Sequence, residues 1–182
     1  MNKTALLIID LQNDYFEGGK NPLHGSFEAS LNARKVLEKF REKKQQIVHV
    51  QHISTRPGST FFLPETDGCN IHTNVQPLTN EKVIVKHYPN SFRETDLHAY
   101  FQSLGINHLV ICGMMTHMCV DTTVRASRDL GYEITLLGDA CATKDLQFEK
   151  IVKAEDVHQS FLAALNSVFA KVETTSDYLK KN

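Results

Sequence analysis

Six apolar runs of strand length recur along the chain: TALLIID (4–10), QQIVHVQH (45–52), KVIVKH (82–87), HLVICG (108–113), EITLLGD (133–139) and the weaker AKVET (170–174). Most are continuous rather than alternating, which is the pattern of parallel strands covered on both faces. The stretches between them have helical character. In SFEASLNARKVLEKFREKK (26–44), Phe27, Leu31, Val36, Leu37 and Phe40 recur near a helical period, and the basic cluster at its end suits a helix C-terminus. Further helices are predicted over 93–105 and 120–131, stopped by Gly105 and Gly131, and over 153–169. Strand and helix alternate throughout, so the prediction is an α/β fold with a mainly parallel sheet and helices on both faces.

One segment breaks the rhythm. Residues 53–81 hold three prolines and two glycines without a clean period and are predicted to be a long loop. Loops of that length in compact domains commonly carry function, here as a lid or as part of a neighbouring subunit's site.

With 182 residues the chain suits a single domain, 1–182, with one well-buried core. A net charge of −1 gives no basic field to collect phosphates, which argues against nucleic acid as a partner. The N-terminal MNKTALLIID has too short an apolar run for a signal-peptide core or a membrane span, so a cytoplasmic protein without membrane contact is expected. Cysteines 69, 112, 119 and 141 show neither CxxC nor zinc-like spacing and are expected to be free thiols.

In an open parallel sheet, ligands bind beyond the carboxyl ends of the strands. Asp10 closes the first predicted strand, Lys86 lies at the end of the third, and Cys119 follows the fourth where a helix begins. Each has an ordinary reading: a turn carboxylate, a surface lysine, a small buried hydrophobe. Together they have complementary roles. The carboxylate can take a thiol proton, the ammonium holds the carboxylate ionised, and a helix start with a nearby ammonium is expected to lower the thiol pKa.

With those residues go the segments ALLIIDLQNDYF (5–16), EKVIVKHYPNSF (81–92), VICGMMTHMCVDTTVRAS (110–127) and GYEITLLGDACAT (131–143). In this order the chain resembles the isochorismatase-like cysteine hydrolase superfamily, the group of nicotinamidases, N-carbamoylsarcosine amidase and ureidoacrylate amidase. The resemblance covers essentially the whole chain and rests on Asp-x-Gln-x-Asp (10–14) with Gly-x-x-Thr-x-x-Cys-Val-x-x-Thr (113–123). It implies a doubly wound, Rossmann-like three-layer domain with six strands and a catalytic triad of Asp10, Lys86 and Cys119. It also implies a cis peptide at Met114–Met115, with the amides of Met115 and Cys119 forming an oxyanion hole. The implied reaction is hydrolysis of a small non-peptide C–N bond, in an amide, ureide or lactam, through a Cys119 thioester. The presence of Cys119 argues against isochorismate, because members that cleave its vinyl ether typically lack the cysteine.

Substrate-pocket candidates are Gln12, Phe16, His52 and His117, with Tyr88 beside them, while Phe92 is expected to pack on the sheet and Thr116 to cap the following helix. The Asp-x-His metal pair of nicotinamidases is absent from Gln51-His52-Ile53, so no metal and no cofactor are expected. The expected partner is a small-molecule substrate, with assembly as a homo-oligomer as is common in the superfamily. Two other readings stay open from the residues alone: a thiol-based redox sensor or scavenger using Cys119, and a non-catalytic ligand-binding module.

Overall fold

The computed structural model describes residues 3–182. Its centre is a six-stranded sheet made of β1 (Thr4–Ile9), β2 (Gln46–His52), β3 (Lys82–Lys86), β4 (His108–Met114), β5 (Glu133–Ala142) and β8 (Lys171–Glu173), in the order β3-β2-β1-β4-β5-β8. Every pairing in it is parallel. All six predicted strands are therefore present and belong to one sheet. Two short strands the apolar pattern did not show, β6 (Leu146–Gln147) and β7 (Ile151–Val152), form a separate antiparallel hairpin.

The continuous apolar runs are explained by two-sided burial. Along β1, Leu6 and Ile8 enter a core with Ala29, Ala33, Val36 and Phe40 of α1 (Ser26–Glu42), which also takes in Tyr178 of α5 (Thr175–Lys181). The alternate residues Ala5, Leu7 and Ile9 enter a second core with Leu97 and Phe101 of α2 (Leu97–Leu104), Val124 of α3 (Asp121–Asp129) and Leu165 of α4 (Ala154–Val168). Side chains of successive strand residues point to opposite faces, so a strand apolar at every position serves two cores at once.

Several boundaries differ from the prediction. α2 ends where expected, with Gly105 in the left-handed region at φ 66°, but begins at Leu97, because 93–96 form a turn after β3. The region 116–120 is a wide helical turn in which the Val120 amide donates to the Met115 carbonyl at 3.2 Å, and α3 starts only after it. Thr116 does not cap a helix there. Its hydroxyl bonds the Ala142 carbonyl and His158 Nδ1 and so ties this turn to β5 and α4.

Gly113 shows how tightly the central strands approach. At φ 137°, a Cβ on it would lie 2.0 Å from the Ile9 carbonyl oxygen. The strand order reverses between β1 and β4, which creates a crevice at their carboxyl ends. Asp10 and the turn carrying Cys119 stand there.

Candidate active site

Asp10 follows β1 at φ 51°, with its amide bonded to the Val50 carbonyl of β2 at 3.0 Å. Its carboxylate is fully buried and lies 2.7 Å from Lys86 Nζ, also fully buried at the end of β3. The contact is a buried ion pair, and Cys119 also interacts with the same carboxylate. Lys86 Nζ also donates to the carbonyls of Tyr88 at 3.1 Å and Pro89 at 3.4 Å, and reaches His52 Nδ1 at 3.2 Å.

Cys119 is nearly sealed, at 4% exposure, and its sulfur lies within 4.8 Å of a carboxylate oxygen of Asp10 and a ring nitrogen of His52. The sheet thus brings Asp10, Lys86 and Cys119 into one cluster from three separate strand ends. Burial would lower the Lys86 pKa, but the adjacent Asp10 carboxylate and Cys119 outweigh it, and the ammonium is held in its charged form.

The expected depression of the Cys119 pKa does not occur. Burial pushes the thiol well above its ordinary value and Asp10 pushes it the same way, against the smaller opposing pull of Lys86. The resting group is therefore a thiol. Burial likewise lowers His52 to about 4, so that side chain is neutral.

A cavity of about 570 Å³ opens beside Cys119, walled by Tyr15, His52, Phe61, Phe62, Tyr88, Met115 and Met118, with Arg56 also on its lining. The segment 53–81 therefore supplies much of the wall of its own chain's cavity. It is held there by Asp14, whose carboxylate accepts the amides of Phe62 at 2.6 Å and Lys20 at 3.0 Å. The Met114–Met115 peptide, expected to be cis, is cis.

Three pocket candidates need correction. Gln12 is fully buried and bonds the His52 carbonyl and amide, each at 2.8 Å, and the Cys69 carbonyl at 2.7 Å, so it clamps β2 to the long loop instead of facing the cavity. Phe16 stacks on His72 with ring centres 3.7 Å apart, in a separate hollow of about 610 Å³ whose lining does not include Cys119. His117 bonds Thr143 and packs edge-on to Phe161, off the lining of the Cys119 cavity. Of the four candidates, His52 does line it.

Asp10, His52 and Cys119 have the donor types of a metal site, but Lys86 Nζ already lies 2.7 Å from one of these groups and 3.2 Å from another. The ammonium occupies the cation's place, and a second cation at that range would meet strong repulsion. Sequence reasoning missed Phe61, Phe62, Arg56, Tyr15 and Met118. The one available signal was the Phe61–Phe62 pair, adjacent aromatics in a segment, 53–81, that holds no other Phe, Tyr or Trp.

A model of the isochorismatase domain matches residues 4–177. The chain belongs to the isochorismatase family. It is 52% identical over 178 residues to the uncharacterized isochorismatase family protein YddQ of Bacillus subtilis (strain 168), covering 97% of this chain and 99% of that one. It is 31% identical to a streptothricin hydrolase of Streptomyces noursei, over 90% of this chain and 56% of that protein. Among solved structures, an isochorismatase from Pseudomonas putida KT2440 superimposes with a TM-score of 0.91 at 38% identity, covering 96% of this family member and 89% of that chain.

Proposed function

We propose that this isochorismatase-family hydrolase cleaves a small amide, ureide or lactam through a Cys119 thioester, with Asp10 as proton carrier and Lys86 as the fixed counter-charge. The observation that carries the reading is the sealed Asp10–Lys86 pair set against a protonated Cys119 thiol at the edge of a cavity.

In this scheme Asp10 removes the thiol proton as sulfur adds to the substrate carbonyl, so the thiolate never has to exist free in a buried site. The oxyanion is stabilised by the amides of Met115 and Cys119. As the C–N bond breaks, Asp10 passes its proton to the leaving nitrogen. Water then adds to the thioester, gives a proton to Asp10 and displaces the sulfur, which recovers that proton. Lys86 keeps its charge throughout and makes an anionic Asp10 tolerable in the core. The streptothricin hydrolase among the relatives supports hydrolysis as the activity class.

A redox role for Cys119 is disfavoured, because oxidation selects exposed, low-pKa thiols and this one is neither. The test is intact-protein mass spectrometry after incubation with small amides, ureides and aldehyde analogues of amides. An adduct on wild type that is absent from Cys119→Ala supports the reading. Full turnover of a confirmed substrate by Cys119→Ala refutes it.

A further inference from the structure

The proposed chemistry leaves several polar side chains of the cavity lining without a task, His52 among them. His52 ends β2, and its backbone is clamped on both sides by Gln12, so its ring is held in place by structure outside the cavity. Its Nδ1 lies 3.2 Å from Lys86 Nζ. A lysine ammonium has only donors, so Nδ1 must accept, and in a neutral ring the proton then resides on Nε2. Nε2 has no hydrogen-bond partner among the described residues, and it is not sealed in the core. Because His52 lines the cavity beside Cys119, that N–H opens into it.

We infer that His52 is a substrate-binding hydrogen-bond donor whose tautomer is set by Lys86, and that it selects substrates carrying a second acceptor next to the attacked carbonyl. Amides of that class are ureides, imides and 2-oxo amides, in which a carbonyl oxygen lies within a few bonds of the carbon that Cys119 attacks. One ring nitrogen of His52 lies within 4.8 Å of Sγ, which sets the imidazole beside the attacking atom. Arg56, on the same lining and without an ion-pair partner among the described residues, adds a second donor toward acceptor-rich ligands. This inference rests on Cys119 being the nucleophile, and the test separates the two claims.

The two histidine nitrogens can be mimicked separately, since the Asn carboxamide falls near Nδ1 and the Gln carboxamide near Nε2. Cys119 is alkylated in wild type, His52→Gln and His52→Asn with iodoacetamide, which leaves a carbonyl beside the new S–CH2 bond and releases iodide, and with iodoethane, which leaves none. The ratio of the two rates cancels intrinsic reactivity and any general disturbance of the site. His52→Asn should lower the iodoacetamide/iodoethane ratio about tenfold, and His52→Gln should keep it within about threefold of wild type. Equal ratios in all three proteins overturn the donor role while leaving Cys119 as nucleophile, whereas full turnover of a confirmed substrate by Cys119→Ala overturns the nucleophile reading itself. In the spectrum of 15N-histidine-labelled protein, with His52→Gln identifying the resonance, His52 should be the neutral Nε2–H form. A neutral Nδ1–H form overturns the inference whatever the alkylation result.

Discussion

Replacing Lys86 by Met tests the logic of the site most directly, because it removes the counter-charge of a fully buried carboxylate while roughly conserving side-chain length. Lys86 Nζ is 2.7 Å from Asp10, and both side chains are sealed from solvent. Removing one partner of a buried ion pair costs about 3–5 kcal/mol, because the remaining charge stays desolvated. Lys86 also donates to the Tyr88 carbonyl and to His52 Nδ1, and losing these bonds adds about 1 kcal/mol each. Against a typical domain stability of about 5–15 kcal/mol, this is a large fraction of the total. The variant can relieve the unpaired carboxylate only by binding a proton, so its deficit relative to wild type should be larger at pH 8 than at pH 5. Urea unfolding of wild type, Lys86→Met, Asp10→Asn and the double variant at both pH values measures this. The double variant should recover about 2 kcal/mol or more of the Lys86→Met loss, since no buried charge remains, but not the part due to Tyr88 and His52. A Lys86→Met deficit below about 1 kcal/mol, independent of pH and unchanged by Asp10→Asn, would show that the pair is not a desolvated ion pair and would remove the basis for Asp10 as an ionised base.

Other consequences are open to simple assays. Gly113→Ala should destabilise the fold by about 3 kcal/mol or more in urea unfolding, since its Cβ would collide with the Ile9 backbone 2.0 Å away at a φ that L residues avoid. Asp14→Ala should release the 53–81 segment from the cavity wall at a cost of about 1–3 kcal/mol, raising KM more than it lowers kcat on any confirmed substrate. Burial would raise the Glu81 pKa, but Arg41, the Leu78 amide and His49 together pull it down to about 2. This group therefore contributes stability above the ordinary glutamate range and loses it as the pH falls toward 2, so Glu81→Gln should flatten the acid limb of a stability–pH curve.

Much of the framework was already written along the chain. Strands apolar at every position announced a sheet buried on both faces, because two-sided burial leaves no place for alternation, and Gly105 marked a helix end because the left-handed turn there suits a residue without Cβ. The three chemical residues were legible because strand ends and a helix start are punctuated in sequence, and a parallel sheet places all such ends on one edge. The sequence does not reveal which loop residues reach that edge. Phe62 lines the cavity because Asp14 grips its amide, and Phe16 does not because it stacks on His72. Neither contact leaves a trace in local periodicity. Nor could residue spacing set the state of Cys119. A helix start and a nearby lysine argued for a thiolate, and only the depth of burial beside the Asp10 carboxylate reversed the sign. Desolvation depends on everything packed around an atom, which is a property of the tertiary structure.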